Sequence, residues 1–261
     1  MHGAHELPAS PLAPGISPVR IHYRECGQGA PLLFLHGGWG YEIYPFDRPI
    51  AALSARRIII PDRSGYGAST PIDRLDAHFH GAAAIETLSF IDALDLRRPV
   101  LWGHSDGAVI AALVGLSAPE RIGGLVLEAS HLSGHKPSSR TFFETTARDP
   151  DSIGDRVAAV LARDHGRDWR EVVVRHSRAW LALADERPAI DFYGGRLGDL
   201  RVRTLIVHGA GDPRTEPGEL DAICAALSDA ERLVLPDGGH SPHSERATAD
   251  AVAAAAAQFL T

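Results

Sequence analysis

Seven short apolar runs, at residues 19–24, 32–35, 57–61, 100–102, 124–127, 204–207 and 232–235, alternate with helical periodicity at 47–55, 78–94, 106–118, 217–227 and 245–260. The runs lack strict apolar and polar alternation, which is the pattern of strands covered on both faces. Strand and helix in alternation dictate a mostly parallel, doubly wound α/β sheet with right-handed crossovers, and the first strands are expected to add an antiparallel edge. A chain of 261 residues buries a full core, so a single α/β domain with an insertion accounts for its length.

The rhythm breaks at 131–200, where no run reads as a strand and helical patterns occupy 152–164 and 169–184. An insertion after the run ending at Leu127 falls over the carboxyl edge of the sheet, where open α/β folds bind ligands, so it is expected to be a helical cap. The expected organisation is a loose N-terminal arm at 1–15, interrupted by Pro8, Pro11 and Pro14, a core formed by 16–130 and 201–261, and the cap at 131–200.

Composition narrows the partners. The net charge is -7 and the basic residues are scattered, which leaves no face for nucleic acid. No apolar window reaches a membrane-spanning length, and the opening lacks a signal-type apolar region, so a cytoplasmic protein without a membrane partner is expected. Cys26 and Cys224 lie far apart without metal-type spacing and read as reduced thiols. The His78/His80 and His240/His243 spacings each supply two ligands where a metal site needs three or four, and no glycine-rich stretch has a nucleotide-binding form. Neither a metal nor a cofactor is expected.

Chemistry concentrates after the strand ends. Gly103-His104-Ser105-Asp106-Gly107 stands between an apolar run and a helix, the context of a nucleophile elbow, and its glycines leave room for a turn that strains the serine. His36-Gly37-Gly38-Trp39-Gly40 follows Leu35, His208-Gly209-Ala210-Gly211-Asp212-Pro213 follows Val207, and Gly238-Gly239-His240 follows Leu235. In this order the sequence resembles the α/β-hydrolase superfamily, whose triad runs Ser, then Asp or Glu, then His. The resemblance covers nearly everything from Ile16 onward and includes Pro61-Asp62-Arg63-Ser64-Gly65-Tyr66-Gly67-Ala68-Ser69, similar to that superfamily's structural D-x-x-G-x-G-x-S turn. The elbow and Leu127-Glu128-Ala129-Ser130-His131 resemble a capped, esterase-like group of bacterial hydrolases.

A serine hydroxyl needs a base to take its proton as it attacks, and His240 is the candidate. A carboxylate on the other ring nitrogen would fix the tautomer, with Asp212 placed for it and Glu128 as its rival. Backbone N–H groups of Asp106 and of Gly38, or Trp39, are the expected oxyanion donors. His36 is expected to brace its loop. His131 reads as a satisfied polar wall residue or a pocket acid or base, and Trp39, Glu128 and His131 are the candidate pocket residues. Asp106 admits two readings: a side chain meeting the helix dipole and turned from the oxyanion, or one facing the pocket to recognise a substrate amine.

The resulting expectation is a serine hydrolase with an acyl-enzyme, acting on a small to medium ester or related carbonyl compound. The same triad also serves carbon–carbon bond hydrolysis, acyl transfer or a lyase step, and burst release from an activated ester separates these. A non-catalytic ligand receptor is a further alternative, distinguished by whether a serine-directed phosphonate is trapped.

Overall fold

Each apolar run forms a strand in the computed structural model, which describes residues 1–186 and 191–261. The strands are β1 (His2–Leu7), β2 (Val19–Cys26), β3 (Pro31–Leu35), β4 (Arg57–Pro61), β5 (Val100–His104), β6 (Gly124–Glu128), β7 (Thr204–Gly209) and β8 (Glu231–Leu235). They make one sheet in the order β1-β2-β4-β3-β5-β6-β7-β8. The pairs of β2 with β1 and with β4 are antiparallel, and the pairs from β4 onward are parallel.

Double coverage explains the unbroken apolar runs. In β3, Leu33 and Leu35 enter one buried cluster while Leu32 and Phe34 enter another on the opposite face. The first cluster is closed by α2 (Phe79–Ala93) and α3 (Asp106–Ser117), the second by residues of α8 (Ala249–Phe259) and Leu53 after α1 (Asp47–Ala52). Burial on this scale contributes about 1.5–3 kcal/mol for each large aliphatic or aromatic side chain.

The N-terminal arm is a correction. His2–Leu7 is β1, paired from His2↔Arg24 to Leu7↔Val19, and Leu7, Leu12 and Ala13 are buried. The three prolines lie beyond the ladder, where missing N–H groups cost it nothing. The strand escapes apolar pattern reading because an edge strand with one solvated face tolerates His2 and Glu6 there, while its other face carries Gly3 and His5 beside Leu7.

Between β6 and β7 lie α4 (Pro137–Arg148), α5 (Asp155–His165) and α6 (Trp169–Glu186), and α7 (Glu219–Ala226) follows β7. Of the stretch assigned to a cap, 187–190 lie outside the described residues. The helix α4 went unread because it is rich in Ser and Thr. Its start signal was present as Pro137 in the first turn, and buried Ser139, Phe143 and Thr146 share one face at helical spacing. Thr146 Oγ1 meets Ser177 Oγ of α6 at 2.8 Å.

Candidate active site

The strand β5 ends at His104 and α3 begins at Asp106, leaving Ser105 alone to reverse the chain with φ 55° and ψ -120°. A β-carbon on Gly103 would lie 2.0 Å from the carbonyl oxygen of Gly107, and one on Gly107 would lie 2.0 Å from that of Leu35. Both glycines are therefore steric requirements of the elbow, and a non-glycine at positive φ is held only by such close packing.

The ends of β7 and β8 bring the other two groups to Ser105. Gly209 approaches Gly239 so closely that an added β-carbon would stand 2.1 Å from its carbonyl oxygen. His240 Nε2 lies 3.1 Å from Ser105 Oγ, and His240 Nδ1 lies 3.0 Å and 2.9 Å from the two Asp212 carboxylate oxygens. Burial opposes the charge on Asp212, but hydrogen bonding and attraction from His240 outweigh it and hold its carboxyl well below the usual range. An ionised Asp212 only accepts, so Nδ1 carries the proton and Nε2 turns its lone pair to Ser105.

Glu128 is brought elsewhere. Its side chain shares a sheet face with Trp102 and accepts from Trp102 Nε1 at 2.9 Å and from the backbone N–H of His243 at 2.9 Å, with His243 Nδ1 also at 2.9 Å. It is fully buried in the sheet's underside and lines no part of the pocket. Strand alternation is the reason: Val126, two residues earlier, sits in the same cluster as Trp102.

Asp106 does not face the pocket: it stands in the first turn of α3, and its carboxylate is engaged by side chains of neighbouring helices. One carboxylate oxygen takes His80 Nε2 at 2.9 Å and Trp180 Nε1 at 3.2 Å, and the other takes His176 Nε2 at 2.8 Å. Burial resists its ionisation, yet the attraction of His176 and His80 prevails and keeps its carboxyl well below the usual value. These donors come from α2 of the core and α6 of the insertion, so the side chain pins both helices to the elbow and lies outside the residues that line the pocket. Sequence reading had weighed His80 only as a metal ligand and had overlooked His176.

His131 lies on the pocket wall, its Nε2 3.3 Å from Ser105 Oγ and its ring stacked on His240 at 5.9 Å. It is not fully satisfied, since buried Nδ1 has no hydrogen-bond partner among the described residues. Burial, then the nearby Lys136 charge, keep the imidazole neutral by pulling its pKa well below 6.5. His36 has a bracing geometry: Nδ1 donates to Gly37 O at 2.8 Å and Nε2 accepts from Arg63 N at 3.3 Å. Arg63 stands in the turn after β4, where Gly67 could not carry a β-carbon without meeting Asp62 Oδ2 at 2.2 Å.

The loop after β3 is clamped from the insertion. Asp164 Oδ2 accepts from the N–H groups of Tyr41 at 2.9 Å and Glu42 at 3.1 Å, while His165 Nε2 donates to Trp39 O at 2.9 Å. Gly38 must be glycine here, for a β-carbon would fall 2.0 Å from His176 Nε2. Gly38, Trp39, Phe142, Phe143, Trp180 and Arg214 help to enclose a cavity of about 70 Å³ beside Ser105, His131 and His240. The N–H of Asp106 belongs to a first helical turn, which leaves such donors without intrahelical acceptors.

Residues 32–255 match the alpha/beta hydrolase family. Over 270 residues the chain is 27% identical to a 2-hydroxy-6-oxononadienedioate/2-hydroxy-6-oxononatrienedioate hydrolase of Paraburkholderia xenovorans, covering 89% of this chain and 88% of that one. It is 24% identical to the serine hydrolase BPHL of Mus musculus, covering 87% of this chain and 79% of the relative. Among solved structures, a thermophilic esterase from Thermogutta terrifontis superposes with a TM-score of 0.73 at 19% identity, over 99% of this chain and 98% of the other. Among the described residues, no helix is long and apolar enough to cross a membrane.

Proposed function

This chain belongs to the alpha/beta hydrolase family, and we propose that it is a serine hydrolase cleaving small-molecule esters through an acyl-enzyme on Ser105. The observation that supports this reading is the unbroken hydrogen-bonded chain from Ser105 Oγ through His240 to Asp212, at 3.1 Å and 2.9 Å. As Oγ attacks the ester carbonyl, His240 Nε2 takes the hydroxyl proton and Asp212 stabilises the resulting imidazolium. The carbonyl electron pair moves to oxygen, where the N–H groups of Asp106 and Gly38 or Trp39 receive it. Collapse returns the electron pair, and the leaving alcohol departs with the proton from His240. Water then attacks the acyl-enzyme, gives a proton to His240, and releases the acid as that proton returns to Ser105.

The cavity of about 70 Å³ holds the equivalent of about five to seven waters, at roughly 10–15 Å³ each, and suits a short acyl chain. A second reading is favoured by the Paraburkholderia relative. A 2-hydroxy-6-oxo dienedioate contains no ester, so acyl-enzyme hydrolysis at its ketone would break a carbon–carbon bond, with His240 protonating carbon. Rapid mixing with para-nitrophenyl acetate tests the ester reading: a burst of nitrophenolate equal to the enzyme present is expected, and none from Ser105→Ala. Absence of both burst and steady hydrolysis, with turnover of a vinylogous diketone acid, would favour the second reading.

A further inference from the structure

The pocket beside Ser105 carries a positive charge that the reaction sequence above leaves unused. Both Lys136 and Arg214 line it. The Lys136 ammonium is neutralised by the buried Glu219 carboxylate, which also accepts from the N–H groups of Leu132 at 2.8 Å and Glu216 at 3.0 Å. Arg214 has no equivalent. Its half-buried guanidinium lies 3.7 Å from the centroid of Phe142, which stacks on Trp39 at 5.4 Å, and among the described residues no carboxylate forms an ion pair with it. The nearby Asp212 oxygens are engaged by His240 and by the Arg214 backbone N–H at 2.8 Å. Asp106, the acid of the elbow, is held by His80, His176 and Trp180.

A guanidinium withdrawn from water without a counter-ion is costly. Burial acts on Arg214 as the largest influence and pulls its pKa down, the direction expected of a cation short of a counter-ion. The aromatic face and the backbone tie to Asp212 hold the group in place near the nucleophile, so little side-chain freedom remains to be lost on binding. Arginine in such a fixed position presents a planar fork of N–H donors that matches a carboxylate.

We propose that Arg214 is the recognition site for a carboxylate on the substrate, making the preferred substrates anionic esters, such as half-esters of short dicarboxylic acids or esters of hydroxy acids. This deepens, and rests on, the ester hydrolase reading. It also reverses the charge preference that an acidic elbow residue suggests from sequence.

The test uses the full chain and two matched pairs: para-nitrophenyl hydrogen glutarate against para-nitrophenyl pentanoate, and acetoxybenzoate against phenyl acetate. Wild type is expected to favour the anionic member of at least one pair in kcat/KM, and Arg214→Gln to lower that preference by about 10- to 100-fold, the scale of a charge-assisted hydrogen bond. Arg214→Lys, which keeps the charge and loses the fork, should retain part of it. Calorimetry with glutarate alone supplies a readout that needs no turnover: binding to wild type should be lost in Arg214→Gln. Hydrolysis through Ser105 with an unchanged preference in Arg214→Gln, and glutarate binding indifferent to Arg214, would overturn the carboxylate site and leave the hydrolase reading standing. Arg214-dependent glutarate binding in a protein that turns over no ester would do the reverse. If Arg214→Gln does not fold, equal preference of wild type for both members of each pair, together with no glutarate binding, overturns the proposal unaided.

Discussion

At the residue scale, two carboxylates that sequence reading left in competition are separated by what they touch. Asp212 accepts from His240 and Glu128 from Trp102 and His243, so their amide variants should fail differently. Asp212→Asn is expected to lower kcat by about four orders of magnitude by favouring the wrong His240 tautomer, with little change in thermal midpoint. Glu128→Gln should instead cost about 1–3 kcal/mol of stability through weakened buried hydrogen bonds, with kcat nearly retained in the folded fraction. Steady-state kinetics beside thermal melts of both variants decide it, and the opposite ranking would move the acid role to Glu128. Ser105, Asp212 and His240 were legible because glycine-marked turns after apolar runs announce where a side chain reaches the sheet's edge. The partners of Asp106 were not, since His80 and His176 stand 26 and 70 residues from it and only the packed helices reveal the meeting.

At the element scale, the inserted helices do more than cover the pocket. The end of α5 holds the loop after β3 through Asp164 and His165, and α6 holds the elbow through His176 and Trp180. Asp164→Ala should therefore release the segment that carries Gly38 and Trp39, and a displacement near 1 Å would lower kcat by about 100-fold. The check is kcat and KM for an activated ester, with the fall expected mainly in kcat. A change confined to KM would make the clamp a matter of substrate access. Periodicity revealed α5 and α6 to within a few residues because their apolar faces are continuous, whereas the buried face of α4 carries hydroxyl side chains, among them Thr146, which donates to Phe142 O at 2.9 Å. The edge strand β1 was hidden for the related reason that one of its faces is solvated. Central strands carry their burial in their composition, while edge and inserted elements acquire theirs from neighbours.

At the scale of the whole molecule, burial of several neutral imidazoles sets the response to acid. Burial is the largest influence lowering the pKa of His36, His80, His104, His131 and His208 below the ordinary 6.5, with His104 down to about 3. Below 6.5 the unfolded chain binds protons that the folded chain refuses, so the stability present above that pH is lost progressively as pH falls. The depressed carboxyls of Asp106, Glu128 and Asp212 act later, because their contribution is whole above ordinary values of 3.8 and 4.5 and declines only as pH falls below them. Melting curves should show a plateau above about pH 7 and a fall already under way by pH 5. A flat midpoint between pH 7 and pH 5 would contradict the neutral burial of these histidines. The same folding that buries them joins the ends of β5, β7 and β8 at the proposed nucleophile, with Ser105 and His240 in contact across 135 residues of chain. Mass mapping after treatment with a fluorophosphonate probes that point directly. The account predicts one adduct per chain, on Ser105, formed rapidly by wild type and at least a thousandfold more slowly by His240→Ala; ester hydrolysis that persists with Ser105 unlabelled, or labelling that His240→Ala leaves undiminished, would contradict it.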